Sequence, residues 1–383
     1  MTWSFRHIGI NAVFLQPRFG GLETQTRAIV PELMRLAPGV RFSVFLNPSG
    51  REVLETEDWS SEVTLVTHPL LGRRGLRAAS ELTILGELAP RRGVDTLYNV
   101  ALTAPLRTRA VNVVVLADIT WIVAPDPAVG ATMRLWRTIV PPVARRADRV
   151  IAISSDGAAD IVEHLGVPRS RIDVVYPGQA QGERVTPTPD AALRERLALG
   201  DGPLVLSVSQ KRPHKNLLRL VSAMAGVRRR APGAVLVLPG NPTAHEQELR
   251  EHASALGLGH AVAFLDYVDA ADLEGLYAAA SCFAIASINE GFGIPILEAQ
   301  RRGLPVACSN ASALPEAAGP AARYFDPYDE ADIARAIGDI LTDPALAARL
   351  VAEGLEHQAT FTWERAAAQT LESFERGWVA RRR

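Results

Sequence analysis

The chain has 383 residues, 48% of them hydrophobic and 22% charged, with 41 Lys and Arg set against 42 Asp and Glu. Such a composition excludes general disorder, and a length of this order implies two domains of about 180 residues each. The net charge of −1 gives no global attraction to nucleic acid or to an anionic membrane.

The N-terminus lacks a long apolar segment, so no signal peptide is expected. No uncharged apolar run reaches the roughly 18 residues of a membrane span. The cysteines, Cys282 and Cys308, both sit in apolar strand-like runs and read as buried reduced thiols, which fits a cytoplasmic location.

A first strand is expected over His7 to Leu15. Arg18-Phe19-Gly20-Gly21-Leu22-Glu23-Thr24 follows it, and Gln25 to Leu36 has helical periodicity. Ligands of open α/β sheets bind outside the carboxyl ends of the strands, where Gly20 and Gly21 would lie. A plain tight turn is the equal alternative. Short strands are expected at Arg41–Leu46, Val63–Thr67 and Thr96–Tyr98, with a helix from Arg77 to Pro90.

Val111 to Leu116 is an apolar, β-branched strand ending in Ala117-Asp118-Ile119-Thr120. An acid just past such a strand is placed for chemistry, although capping a helix or turn is its commoner job. A helix over Met133–Ala147 and a strand over Arg149–Ile153 come next. Ser154-Ser155-Asp156 then opens a helix that Gly166-Val167-Pro168 stops, and Ile172–Tyr176 is the last strand of this half. The loops Leu70–Ala78 and Trp121–Trp136 carry Arg73, Arg74, Arg77, Trp121, Arg134 and Trp136, which offer cationic and apolar surface. Ordinary exposed arginines and buried tryptophans are the competing reading.

The polar, proline-bearing stretch 181–202 reads as a linker with a short helical insert at Ala191–Leu199. The pattern then restarts with a strand at Leu204–Val208. Ser209-Gln210-Lys211-Arg212-Pro213-His214-Lys215-Asn216 follows, and then a helix from Leu217. Lys211, Arg212, His214 and Lys215 crowd one loop at a strand's carboxyl end, where cationic side chains would neutralise a departing diphosphate. Strands at Ala234–Leu238, Ala261–Leu265, Cys282–Ala286 and Leu304–Cys308, a turn at Ser312–Glu316, an edge strand at Arg323–Pro327 and a helix from Thr362 to about Val379 complete the chain.

The segment Ser287 to Ala299 is the most informative. It runs from an apolar strand through a loop with Gly291 and Gly293 into a helix opened by Pro295. Glycine lets backbone N–H groups approach an anion, and the first helical turn has free donors at the positive end of its dipole. Glu290 and Glu298 flank this loop.

Glu290-Gly291-Phe292-Gly293-Ile294-Pro295-Ile296-Leu297-Glu298-Ala299 resembles the signature of the retaining glycosyltransferases of family 4. The resemblance covers nearly the whole chain, including Gly20-Gly21-Leu22-Glu23, Ser154-Ser155, His214-Lys215-Asn216, Gly303-Leu304-Pro305-Val306 and Phe361-Thr362-Trp363-Glu364. It implies an α/β fold of two Rossmann-like βαβ domains facing across a cleft, the GT-B architecture. The expected bounds are an acceptor-binding domain over 1–180, the linker over 181–202, a nucleotide-sugar-binding domain over 203–360, and a segment 361–383 returning to the first domain.

The resemblance further implies that Glu298 bonds the donor ribose, that Lys215 and Arg212 hold the diphosphate, and that Glu290 holds the donor sugar. Backbone groups of Gly291, Phe292, Gly293 and Ile294 would bind sugar or phosphate. Gly20 and Gly21 would close over the diphosphate, Tyr267 and Val268 would meet the base, and Asp118 would organise the reacting sugar. No cofactor is implied, and no metal either, since no Asp-x-Asp motif occurs. The implied partners are a GDP- or UDP-linked donor and a carbohydrate or lipid-linked acceptor, reached at the inner face of the plasma membrane through peripheral contact; nucleic acid is not among them.

Two positions depart from the family pattern. Ala117 stands where the family commonly has histidine, and Gln210 or Ser209 where it has an arginine, with Arg212 or Lys211 as the available replacements. A weakened sugar-nucleotide-binding protein of the same fold is therefore the alternative. An oxidoreductase on a doubly wound sheet lacks the required G-x-G-x-x-G and its following acid.

Overall fold

The computed structural model describes residues 3–16, 21–68, 70–71, 77–126, 130–179 and 185–382. Its frame is a pair of sheets in which every neighbouring strand pair is parallel. The first sheet contains β1 (His7–Asn11), β2 (Arg41–Leu46), β3 (Thr64–Thr67), β4 (Thr96–Asn99), β5 (Val111–Leu116), β6 (Arg149–Ala152) and β7 (Ile172–Val174), in the order β3-β2-β1-β4-β5-β6-β7. The second contains β8 (Leu204–Leu206), β9 (Val235–Leu238), β10 (Val262–Phe264), β11 (Cys282–Ile285), β12 (Val306–Ser309) and β13 (Ala322–Phe325), in the order β10-β9-β8-β11-β12-β13.

Parallel sheets need both faces covered, because the crossover helices return over them. The strands reflect this: β1, β4, β5, β6, β8, β9, β11 and β12 are buried at every residue. Cys282 and Cys308, on the adjacent strands β11 and β12, are free and buried.

The chain divides into two compact units, Met1–Val123 with Gly130–Ala180 and Phe361–Arg383, and Ala124–Val129 with Gln181–Thr360. Both are Rossmann-like α/β layers. In the first, the helix Trp363–Arg382 packs on the sheet through the fully buried Phe374, whose ring meets Phe5 edge-on at 5.9 Å and Tyr98 at 5.3 Å. Trp378 Nε1 donates to Thr96 Oγ1 at 2.7 Å. Asp173 accepts from Arg149 at 2.6 and 2.9 Å, from Ser373 at 2.6 Å and from Arg376 at 3.0 Å. Gly377 permits the contact, since a Cβ there would lie 2.6 Å from Val111 Cγ1.

In the second unit, the helix Asp190–Leu197 packs on the helix Ala270–Ala279. Thr188 Oγ1 donates to Asp272 at 2.8 Å, and Gly275 brings the later helix against the Thr188 carbonyl.

Three local expectations are corrected. The helix expected over Arg77 to Pro90 is two, Arg77–Leu82 and Ile84–Arg91, with Thr83 at φ −122°, ψ −64° between them. The Leu82 carbonyl accepts from Leu106 N–H at 3.0 Å, and Gly86 lies so close to the Arg107 carbonyl that a Cβ would sit 2.1 Å from it. A tertiary strap thus takes a group that an unbroken helix would use. The turn expected at Ser312–Glu316 contains the start of a helix, Leu314–Ala318, with Pro315 in its first turn, where proline loses no useful donor. The helix expected from Gln25 begins at Gly21.

Candidate functional site

The second sheet reverses direction beside β8. The chain moves outward from β8 to β9 and β10, then returns to place β11 on the other side of β8. The loops leaving β8 and β11 at their carboxyl ends therefore diverge, which makes the crevice where open α/β sheets hold ligands. These are the loops that carry Lys215 and Glu290.

Polar side chains and main-chain bonds stitch the loops together. Lys215 ends a short turn, Pro213–Lys215, and Asn216 follows in the left-handed region at φ 57°. The buried Asn216 donates to the carbonyls of Ala286 at 3.1 Å and Pro327 at 2.7 Å, fixing the turn to the end of β11. Ile288 N–H donates to the His214 carbonyl at 2.9 Å. Lys215 Nζ then reaches both oxygens of Glu290, at 2.7 and 2.8 Å, with the two side chains only 17% and 15% exposed.

Ser287 Oγ donates to Glu290 Oε1 at 2.7 Å, and Ser312, at φ 55°, exchanges hydrogen bonds with the Glu290 main chain at 3.0 and 3.3 Å. Charge-assisted bonds of this kind hold a carboxylate to one geometry.

Beyond Glu290, Gly291 and Ile294 are partly exposed and Phe292 is buried, which anchors the loop in the core. Gly293 caps the helix Ile294–Arg301 at φ +114°, ψ +43°. A Cβ at Gly293 would lie 3.0 Å from Leu314 and 3.2 Å from Ile296, so the space is tight and the dihedral angles call for glycine. In its first turn Pro295 has no N–H and Ile296 N–H donates to the Gly293 carbonyl at 2.9 Å, which leaves the Ile294 N–H as the first-turn donor for an anion at the positive end of the helix dipole.

Glu298 stands on this helix, partly buried, with Tyr277 Oη donating to its Oε2 at 3.1 Å. Burial raises its carboxyl above the ordinary value of 4.5, opposed by Arg302 and by the Tyr277 bond.

Tyr267 is 71% exposed and Val268 partly buried, just ahead of Asp269, which caps the helix Ala270–Ala279 through Asp272 N–H at 2.9 Å. Arg212 is committed on two sides, to Gln210 Oε1 at 2.9 Å and to Asp126 Oδ2 at 2.8 Å. Asp126 clusters with this unit.

Lys211 is not a ligand-facing cation. It is fully buried, and its ammonium donates to the carbonyls of Gly240 at 2.5 Å and Leu265 at 2.7 Å, with Glu246 at 3.3 Å. Desolvation lowers its pKa, with Glu246 opposing the shift. It ties together the segments that follow β8, β9 and β10, so it does not replace the arginine absent at Gln210.

In the first unit, the reversal falls between β1 and β4. Gly21 opens the helix Gly21–Leu36 after β1, while Gly20 lies outside the described residues. Asp118 follows β5, and its Oδ1 accepts from Thr120 N–H at 3.0 Å, a capping contact. Trp121 is buried, edge-on to Trp136 at 6.4 Å, so its ring belongs to the core. Arg73 and Arg74 lie outside the described residues, and nothing is described of the Arg77 side chain.

Ser312 and Tyr277 are contributors that motif spacing does not single out, while Ser287 and Asn216 stand within the quoted segments without an assigned role. Asn216 had one local signal, its place directly after Lys215. Ser312 lies 22 residues from Glu290, whose main chain it bonds, and Tyr277 lies 21 residues from the Glu298 carboxylate it touches. Among the described residues no group of three or more His, Cys, Asp or Glu could hold a metal ion, and no helix is long and apolar enough to cross a membrane.

Residues 19–179 match the family model described as Glycosyltransferase Family 4, and residues 190–357 match Glycosyl transferases group 1. The chain is 35% identical over 237 residues to a D-inositol 3-phosphate glycosyltransferase of Nocardia farcinica, covering 60% of this chain and 52% of that protein, so the match spans about half of that relative's length. It is 28% identical over 372 residues to a GDP-mannose-dependent alpha-(1-6)-phosphatidylinositol monomannoside mannosyltransferase of Mycolicibacterium smegmatis, covering 91% and 92%. Among solved structures, Anabaena HepE in complex with UDP-glucose superposes with a TM-score of 0.72 at 23% identity, over 96% of this chain and 99% of that one.

Proposed function

Because this chain belongs to glycosyltransferase family 4, we propose that it is a retaining, metal-independent hexosyltransferase. It moves a hexose, of mannose type, from a GDP- or UDP-linked donor to a glycan, lipid-linked or small-molecule acceptor. The observation that carries this reading is the contact of Lys215 with Glu290 at the topological switch point of the second sheet, beside a helix start whose dihedral angles call for glycine.

The roles follow from chemistry. The bond between the sugar's anomeric carbon and the β-phosphate oxygen breaks, and negative charge grows on the departing diphosphate. Lys215 and the N–H groups of Gly291 to Ile294 stabilise that charge, as preorganised donors do in a water-poor site. Arg212 contributes at longer range, since Asp126 and Gln210 share it. Glu290 holds the sugar hydroxyls near the anomeric carbon, Glu298 the ribose, and Tyr267 and Val268 the base. Gly20, Gly21 and Asp118 act from the first unit. The acceptor hydroxyl forms the new bond to the anomeric carbon, and retention follows either from front-face attack, with the departing phosphate taking the hydroxyl's proton, or from a covalent intermediate.

The mannose preference rests on the name of the Mycolicibacterium smegmatis relative. Peripheral attachment at the inner face of the plasma membrane is proposed through the helix Gly130–Arg146, on which Arg134, Leu135 and Arg137 are exposed.

The test is incubation with GDP-mannose and a panel of UDP-hexoses and acceptors, following nucleotide release and product mass, with and without EDTA. Turnover that survives EDTA supports the reading, and turnover abolished by EDTA rejects metal independence. Donor binding without turnover under any acceptor would leave the second reading, a sugar-nucleotide-binding protein, which Ala117 favours.

A further inference from the structure

The Glu298 carboxyl is gripped from one neighbouring helix. On Ala270–Ala279, Glu274 and Tyr277 stand three residues apart and share a face. Tyr277 is 2% exposed, and its ring stacks on Phe283 with centroids 6.1 Å apart and planes 20° from parallel. The Arg302 guanidinium lies 4.4 Å from the centre of the Tyr277 ring. Its Nε donates to Glu274 Oε2 at 2.8 Å, and its Nη1 donates to the main-chain carbonyl of Glu298 at 2.9 Å. Side chain and main chain of Glu298 are thus fixed by one assembly.

A tyrosine buried only to fill a core needs some acceptor for its hydroxyl, and the usual supply is main-chain carbonyl. Here the acceptor is a carboxylate oxygen at the proposed donor site. The terminal torsion of a glutamate is soft and nearly two-fold, so an unheld carboxylate would sample orientations that a hydrogen bond on one oxygen removes.

We propose that Tyr277, backed by Arg302 and Glu274, is a positioning residue for nucleoside-diphosphate binding: by occupying Oε2 of Glu298 it directs Oε1 to the ribose hydroxyls. This rests on the ribose role given to Glu298 above. Tyr277 itself does not touch the nucleotide.

The experiment compares the wild type, Tyr277→Phe and Glu298→Ala by calorimetric titration with GDP or UDP and with the 2′,3′-dideoxy form of the same nucleotide. Tyr277→Phe is expected to weaken ribonucleotide binding by about five- to tenfold and to leave the affinity for the dideoxy form at the wild-type level. Equal weakening for both ligands, as a merely structural tyrosine would give, overturns the proposal. Glu298→Ala is expected to bind the two forms alike. If it keeps the wild-type preference for ribose, the ribose role falls and the positioning role with it. If it loses that preference while Tyr277→Phe keeps it, only the positioning role falls. A further variant, Arg302→Gln, leaves the Tyr277 hydroxyl intact and is expected to give a smaller loss confined to the ribonucleotide; an equal loss for both forms counts against the proposal.

Discussion

Lys215 and Glu290 are bound to each other, through both carboxylate oxygens at 2.7 and 2.8 Å, although each was assigned separately to a different part of the donor. A donor that engages both must exchange this pair for its own phosphate and hydroxyl groups. The residues therefore act as one element, and their energetic effects cannot be independent.

Lys215→Ala is expected to lower kcat by about a hundredfold through lost charge stabilisation. Glu290→Gln should lower it too, and the double variant should lose less than the product of the two single losses. Steady-state kinetics on all three, arranged as a double-mutant cycle, checks this. Strict multiplicativity would show that the ion pair is incidental to turnover.

Burial raises the Glu298 carboxyl above 4.5, so the folded protein binds that proton more tightly than the unfolded chain. Its stabilising contribution is complete below the ordinary carboxylate range and declines as pH rises through the raised value. Glu298→Gln should remove this decline. Thermal scans from pH about 4 to about 8 are expected to show the variant gaining on the wild type toward neutral pH. Donor affinity should change in the opposite sense, since an ionised Glu298 is the better acceptor for ribose hydroxyls.

Lys211→Met should cost about 1–3 kcal/mol of stability, because it leaves the buried carbonyls of Gly240 and Leu265 without their donor, while Glu246 keeps Arg250 at 2.6 and 2.8 Å. Urea denaturation and donor titration of this variant beside Lys215→Met separate a structural lysine from a functional one. Both should lower the midpoint, since Lys215→Met leaves the part-buried Glu290 without its cation, but only Lys215→Met should also weaken donor binding.

Gly293→Ala forces a side chain onto φ +114° and against Leu314. A loss of about 1–3 kcal/mol is expected, together with weaker donor binding, because the helix start moves with the strain. Denaturation and calorimetry on the same sample read both effects, and unchanged donor affinity would show that the helix end is remote from the ligand.

The alternation of strand and helix was legible because buried parallel strands such as Val235–Leu238 are apolar throughout, and caps such as Ser154 are local. The break at Thr83 was not, since its cause is a bond from Leu106. The burial of Lys211 was equally hidden: a basic loop reads as solvated until the segments after three strands converge on the ammonium. Lys215 and Glu290 could be named from a motif. Their contact could not, because it joins residues 75 apart in sequence and depends on β8 and β11 becoming neighbours. Tyr277 escaped notice for the same reason, being ordinary helix composition until Glu298 is set beside it.

The first sheet takes part of its core from very late in the chain. Phe5, Tyr98 and Val111 find Phe374 and Gly377 only after the whole second unit has been synthesised. At ribosomal elongation speeds the delay is roughly ten to forty seconds. During that interval the nascent first unit shows the ribosome's surroundings an apolar face, while the second unit can complete its own fold. Biogenesis should accordingly be the stage at which this protein most depends on chaperones, and substitutions on the inner side of the helix Trp363–Arg382 should reduce the yield of soluble protein more than the activity of the molecules that mature.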